Sequence, residues 1–142
     1  MDRIKLKVVT PEKVIFDGEV DEIVVPSALG EMGILPDHEP LLAALCCGEM
    51  KIKKGADWDH FALLGGFVEV RQGSKVKILA NAAEHAEDID EARAIEAKEK
   101  AEKLLKEKRE DVSFTDASVA LERSLSRLKV AQRKRKHKQK SY

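Results

Sequence analysis

Residues that break regular structure run out early in this chain of 142 residues. All four prolines lie at or before Pro40, and all eight glycines lie at or before Gly73. Nothing punctuates the chain beyond that point, which excludes a second turn-rich domain there and leaves long helix as the reading. Cysteine is nearly absent. The two present, Cys46 and Cys47, are adjacent, and sequence neighbours rarely meet disulfide geometry. A disulfide scaffold and a cysteine-based zinc site are both excluded. No uncharged apolar run approaches the 18 or so residues needed to cross a bilayer. The start, Met1-Asp2-Arg3-Ile4-Lys5, has no apolar signal-peptide region. A soluble protein kept in the cytoplasm is therefore expected. An excess of either charge is also missing: Lys+Arg is 26, Asp+Glu is 26, and the formal net charge is zero. Bulk attraction to nucleic acid is excluded.

What is present is a core and a great deal of wet surface. Apolar residues make up 43% and charged residues 37%, against about a quarter charged in an average domain. The chain changes character near residue 86. Four of the six aromatics, Phe16, Trp58, Phe61 and Phe67, precede that point, so the main core is expected there. Ile4, Leu6 and Val8 alternate with Arg3, Lys5 and Lys7, the period of a half-buried strand. Further short strands are expected over 13–16, 20–25, 49–54, 59–64, 67–71 and 75–79, with a hairpin about Gln72-Gly73-Ser74. Evenly spaced strands with no long helix between them indicate a β-sandwich or barrel.

Residues 87–131 read as a helical hairpin. Asp88 and Glu91 have the spacing of a capping box. Ala94, Ala97, Ala101, Leu104 and Leu105 recur at helical spacing, as do Phe114, Ala117, Leu121, Leu125 and Leu128 after a polar turn at 108–113. A stripe so rich in alanine buries little area, at about 25 cal/mol per Å², so the hairpin is expected to dock weakly and to move. The last eleven residues, 132–142, hold six basic residues and no acid and are expected to be a disordered or frayed tail. The fold class is therefore α+β: an N-terminal antiparallel β-sandwich over 1–86, then a C-terminal α-helical hairpin over 87–131.

Four segments carry a resemblance. They are Val9-Thr10-Pro11, the stretch Gly33-Ile34-Leu35-Pro36-Asp37-His38-Glu39-Pro40-Leu41-Leu42, Gly65-Gly66-Phe67-Val68-Glu69-Val70, and Ala86-Glu87-Asp88-Ile89-Asp90-Glu91-Ala92-Arg93-Ala94. In this order and at these separations the chain resembles the epsilon subunit of bacterial and chloroplast F-type ATP synthases, from about residue 3 to 131. It departs from the family at Asp37, where glycine is usual, and in a longer basic tail.

The resemblance implies a role in a rotary motor and no chemical step. The family's subunit belongs to the central stalk. Its sandwich sits on the ring of membrane c subunits and grips the gamma subunit. Its hairpin either folds on the sandwich or extends into the alpha/beta catalytic head, where it obstructs ATP hydrolysis. The subunit so couples proton translocation to ATP synthesis. By resemblance, Glu31, Met32, Gly33 and His38 lie in a loop that touches the ring and gamma; the plainer reading is an ordinary turn shaped by Gly33 and Pro36. A set of residues resembles the site at which some members bind ATP as a regulatory ligand: Glu84, Ile89, Asp90, Arg93, Ala94, Lys100, Arg123 and Arg127. Asp90 can accept from an amino group or sugar hydroxyl, and Arg93 can donate to phosphate. Lys100 replaces the usual arginine and loses its planar fork. Asp116 replaces another, and its carboxylate repels phosphate. The plainer reading is that Asp90 caps a helix and Arg93 makes a surface pair.

No catalytic residue, required cofactor or metal is expected, because no nucleophile, acid–base pair or ligand cluster is evident. The basic end from Arg123 onward lacks the interleaved aromatics of a nucleic-acid binder. Cys46 and Cys47 read as small core fillers. The implied location is peripheral, on the cytoplasmic face of the bacterial plasma membrane, with no insertion into it. The alternative is a free-standing ATP- or anion-binding regulatory module.

Overall fold

A strand with one wet face and one buried face opens the structure. The computed structural model describes residues 3–107 and 114–140. In it β1 (Ile4–Val9) buries Ile4, Leu6 and Val8 and exposes Lys5 and Lys7. After it come β2 (Val14–Val20), β3 (Glu22–Ser27), β4 (Gly30–Ile34), β5 (Leu41–Lys54), β6 (Asp57–Arg71), β7 (Lys75–Ala80) and β8 (Ala83–His85). A 3-10 turn at Ala86–Asp88 precedes α1 (Glu91–Glu107) and α2 (Phe114–Lys140). The chain divides into two units between His85 and Ala86.

The first unit is one sheet in the order β2-β1-β7-β6-β5-β3-β4, with β8 also paired to β6. Every pairing is antiparallel except that of β1 with β7. Side chains from both ends of this order share one buried cluster, among them Leu6 and Ile78 from one end and Ile23 and Ile34 from the other. The sheet therefore closes over itself as a β-sandwich. Full burial of each such side chain is worth about 1.5–3 kcal/mol.

Several expected boundaries differ: β2 runs on to Val20, past the expected 16, so β3 starts at Glu22 and not at 20. The runs at 59–64 and 67–71 are one strand, β6, because Gly65 (φ 82°) and Gly66 (φ 135°) bend the chain without ending the ladder. β5 likewise begins at Leu41, well before the expected 49: its alanines and cysteines blur the alternation that would reveal a strand. The aromatics contribute less to the core than expected. Phe61 is buried, whereas Phe67 and Trp58 face outward, and Trp58 lies beneath Lys51 and Lys53, whose ammonium nitrogens are 5.8 and 5.7 Å from its ring centre. Cys46 and Cys47 are half-buried on β5 and belong to no buried core position.

The second unit is a pair of helices packed on each other. Most of its buried positions are small: Ala94 and Ala101 on α1, Ala117, Ser124 and Ser126 on α2; the larger Leu128 and Val130 lie further along. Ala97 and Leu125, expected in the apolar stripes, are exposed. The cap is Asp90 and not Asp88, which lies inside the 3-10 turn. Asp90 Oδ1 accepts from the Arg93 amide at 3.2 Å, and its carbonyl accepts from the Ala94 amide at 3.0 Å, the geometry of an N-cap. α2 runs helically to Lys140, through 132–140 where a frayed tail is expected; lysine, arginine and glutamine are good helix formers, and no breaker interrupts them. The turn expected over 108–113 lies outside the described residues, as do the side chains of Phe114 and of the basic run from Arg133.

Candidate functional site

Three groups of residues are candidates. The first is the segment at 31–38. Half of it is strand, because β4 pairs with β3 along its whole length; an edge strand tolerates its two glycines. The hairpin between them is tied by Ser27 Oγ, which donates to the Gly30 carbonyl at 2.6 Å. Along β4, Glu31 and Gly33 are exposed, while Met32 leans on the core beside buried Ile34. Met32 is thus mostly a packing residue. The loop proper is a turn at 35–38. The His38 amide donates to the Leu35 carbonyl at 3.2 Å. Pro36 takes the second position, and Asp37, at φ 63°, takes the third, the place of a type II turn that requires a left-handed backbone. His38 is half-buried, with Nδ1 2.7 Å from the Glu39 carbonyl. A carbonyl only accepts, so Nδ1 is the donor in this bond.

The second group was not read from the sequence. On the outer face of the sheet, Val9 pairs with Leu79, Leu79 with Phe67, and Phe67 with Ala44. This apolar row crosses four strands, with Phe67 54% and Leu79 47% exposed. Leu42, 70% exposed, extends it on β5 towards the turn at 35–38. A charged rim adjoins it. Lys7, Lys77 and Glu69 stand in register, and Arg71 Nε donates to Glu69 Oε1 at 2.8 Å. That bond holds the Glu69 carboxyl below its ordinary range and raises the Arg71 guanidinium. An apolar centre with a polar rim is the anatomy of a protein interface. The signal was in the sequence: Phe67 and Leu79 are out of phase with inward-facing Val68, Val70, Val76 and Ile78.

The third group is the nucleotide set. Ile89, Asp90, Arg93 and Ala94 do come together, at the start of α1. Asp90 and Arg93 are exposed, Ile89 is half-buried, and Ala94 is buried. Lys100 is exposed two turns along α1 from Arg93, and on α2 exposed Arg123 stands one turn from half-buried Arg127. Glu84 is on β8, in the first unit. Asp116 lies in the first turn of α2, where a carboxylate suits the helix dipole. Among the described residues, no group of three histidines, cysteines or carboxylates is arranged to hold a metal.

Residues 3–86 match the family described as ATP synthase, Delta/Epsilon chain, beta-sandwich domain, and residues 87–132 match its long alpha-helix domain. The chain belongs to the ATP synthase delta/epsilon family. An ATP synthase epsilon chain of Dehalococcoides mccartyi is 46% identical over 140 residues, 98% of this chain and 99% of that one. Another, of Halalkalibacterium halodurans, is 47% identical over 134 residues, 94% of this chain and all of that one. A chain in the cryo-EM structure of the OSCP/F1/c-ring of Euglena gracilis mitochondrial ATP synthase superposes with a TM-score of 0.77 at 27% identity, covering 86% of this chain and 77% of its own. As an epsilon-type member of this family, the chain is a non-catalytic stalk subunit of the synthase. No described helix is long and apolar enough to cross a membrane.

Proposed function

We propose that this epsilon-type chain couples the rotor to the catalytic head and restrains ATP hydrolysis. The sandwich would seat the gamma subunit on the row formed by Val9, Leu79, Phe67, Ala44 and Leu42. The exposed residues Glu31 and Gly33, with the turn at 35–38, would meet the ring of c subunits, and proton flow through that ring would drive ATP synthesis. The alpha/beta head is the partner of the helical pair. The apolar row carries the reading: a free-standing ligand-binding module has no use for 54% of a phenylalanine in water at the centre of a sheet. The small side chains buried in the helical pair support movement, since little area holds them in one arrangement. The complex would lie on the cytoplasmic face of the bacterial plasma membrane.

ATP as a regulatory ligand at the start of α1 is the finer part of the proposal. Exposed Arg93 supplies a phosphate donor beside a helix N-terminus that favours anions. Asp90 already spends one oxygen on the cap, so binding there is weak.

The test is add-back to a catalytic head that carries gamma and lacks this subunit. The full chain is expected to bind and inhibit ATP hydrolysis. A chain ending at Ala86 is expected to bind without inhibiting. Full-length Phe67→Ser is expected to bind about tenfold or more weakly, the cost of one apolar anchor. A wild-type chain that fails to associate with the head overturns the proposal, and equal inhibition by the truncated chain removes the brake from the helices.

A further inference from the structure

Among the described residues, two that are not glycine hold a left-handed backbone, Asp37 at φ 63° and Ser74 at φ 56°. They lie 37 residues apart and are bonded to each other. The Asp37 amide donates to Ser74 Oγ at 2.8 Å, and Ser74 Oγ donates to Asp37 Oδ1 at 3.3 Å. Ser74 is buried, 5% exposed, and its carbonyl accepts from the Lys5 amide at 2.8 Å. Its hydroxyl is therefore anchored in the sheet, between the end of β6 and the start of β7, while Asp37 is exposed on the turn.

A left-handed backbone costs an L-residue roughly 1–2 kcal/mol, and the third position of this turn ordinarily takes glycine or asparagine. Asp37 holds it because its amide has a fixed, buried acceptor, and the reciprocal bond to its carboxylate closes the pair. The turn that contains Asp37 displays Leu35, 57% exposed, and half-buried His38. A turn tied at its most strained residue presents such side chains in one conformation. A partner then binds it without the ordering cost of a loose loop.

We infer that Ser74 is a positioning residue. Its hydroxyl latches Asp37 and so holds the turn at 35–38 in the shape that meets the membrane ring. This rests on the reading above that the turn faces that ring.

The test is a double-mutant cycle in the full-length chain: Ser74→Ala, Asp37→Gly and both together. The readouts are amide hydrogen exchange at Asp37 and His38, binding to gamma alone, and binding to detergent-solubilised c-subunit rings carrying gamma. Ser74→Ala keeps the serine backbone cost and deletes only the hydroxyl. Both bonds through the hydroxyl are lost, but the exposed Asp37 carboxylate regains water, so exchange at Asp37 is expected to speed up and ring binding to weaken about five- to tenfold, the net size of one buried hydrogen bond. Binding to gamma alone stays unchanged, which also reports that the variant is folded. In the Asp37→Gly background the same change is expected to cost under about twofold, because glycine holds the turn unaided. Wild-type ring binding by Ser74→Ala, or an equal loss in both backgrounds, overturns the inference. If the wild-type chain itself does not bind the ring, the ring-facing reading fails and takes the inference with it; that failure is recognised by its independence of position 74.

Discussion

Asp21 ties together three places far apart in the sequence. Its Oδ2 accepts from the Gly55 amide at 2.6 Å, and its Oδ1 accepts from Arg3 Nε at 3.1 Å. The turn between β2 and β3, the turn between β5 and β6 and the entry to β1 are thus joined at one carboxylate. The Gly55 amide, and secondarily Arg3, hold its titration below the usual aspartate range. A depressed folded value means that the charged form is favoured by folding. The stabilisation is therefore present above the unfolded value of about 3.9 and is lost as pH falls through the lower folded value. Asp21→Asn is expected to lower the melting temperature at pH 7. The gap to the wild-type chain should narrow as the pH is taken below 3.9. Melting curves at several pH values check this, and a gap independent of pH would mean that the carboxylate charge is not what matters.

β6 is the element on which the sandwich turns. It pairs with β5 from Asp57 to Val70, skipping Gly65, with β7 from Gly66 to Arg71, and with β8 over Phe61 to Leu63. The hand-over falls at Gly65 and Gly66. A methyl group on Gly66 would overlap the Leu79 carbonyl and stand 2.8 Å from the Ala80 Cα, on a backbone at φ 135°. Both obstacles are backbone and cannot swing aside. Gly66→Ala is expected to destabilise the chain by about 3 kcal/mol or more, read by urea unfolding followed through Trp58; a loss below about 1 kcal/mol would mean the bend is softer than its geometry implies.

Elements of this kind mark where sequence and structure part. β1 and β7 were legible, because strict alternation survives on any strand with one buried face. The two helices were legible in existence and type, because no breaker follows Gly73. β4 was hidden by Gly30 and Gly33, which read as turn residues although an edge strand accommodates them. The cap moved from Asp88 to Asp90 because a 3-10 turn intervenes, a difference of two residues that periodicity cannot resolve. Of the candidate sites, Glu31 and Asp90 fall on exposed surface. Met32 turns inward because strand alternation places it on the face of Ile34. The apolar row was invisible as a row, since cross-strand register from four strands creates it and no single segment contains it. The Asp37–Ser74 bond was out of reach for the same reason.

In the whole molecule, the stalk role asks the sheet to be complete, and β7 completes it. β7 sits between β1 and β6, pairing Lys5 with Lys75 and Val9 with Leu79. A chain ending at Ser74 is expected to show no cooperative unfolding and to bind a hydrophobic dye, while a chain ending at Ala86 folds. Thermal unfolding and dye fluorescence check this. Cooperative unfolding of the shorter chain would mean that β1 and β2 find another place in the sheet.

The parallel pairing of β1 with β7 also sets an order of events in time. β1 is synthesised first and must wait for some 70 further residues before its second neighbour exists. Until then β1 and β2 form at most a hairpin, and the side of β1 later covered by β7 is an open edge carrying unpaired amides and carbonyls. The helices need only local contacts and form fast once made, whereas the sheet waits on its most distant pairing. Lys5 and Lys7 alternate along that waiting edge, and their charge discourages a neighbouring nascent chain from taking the place kept for β7.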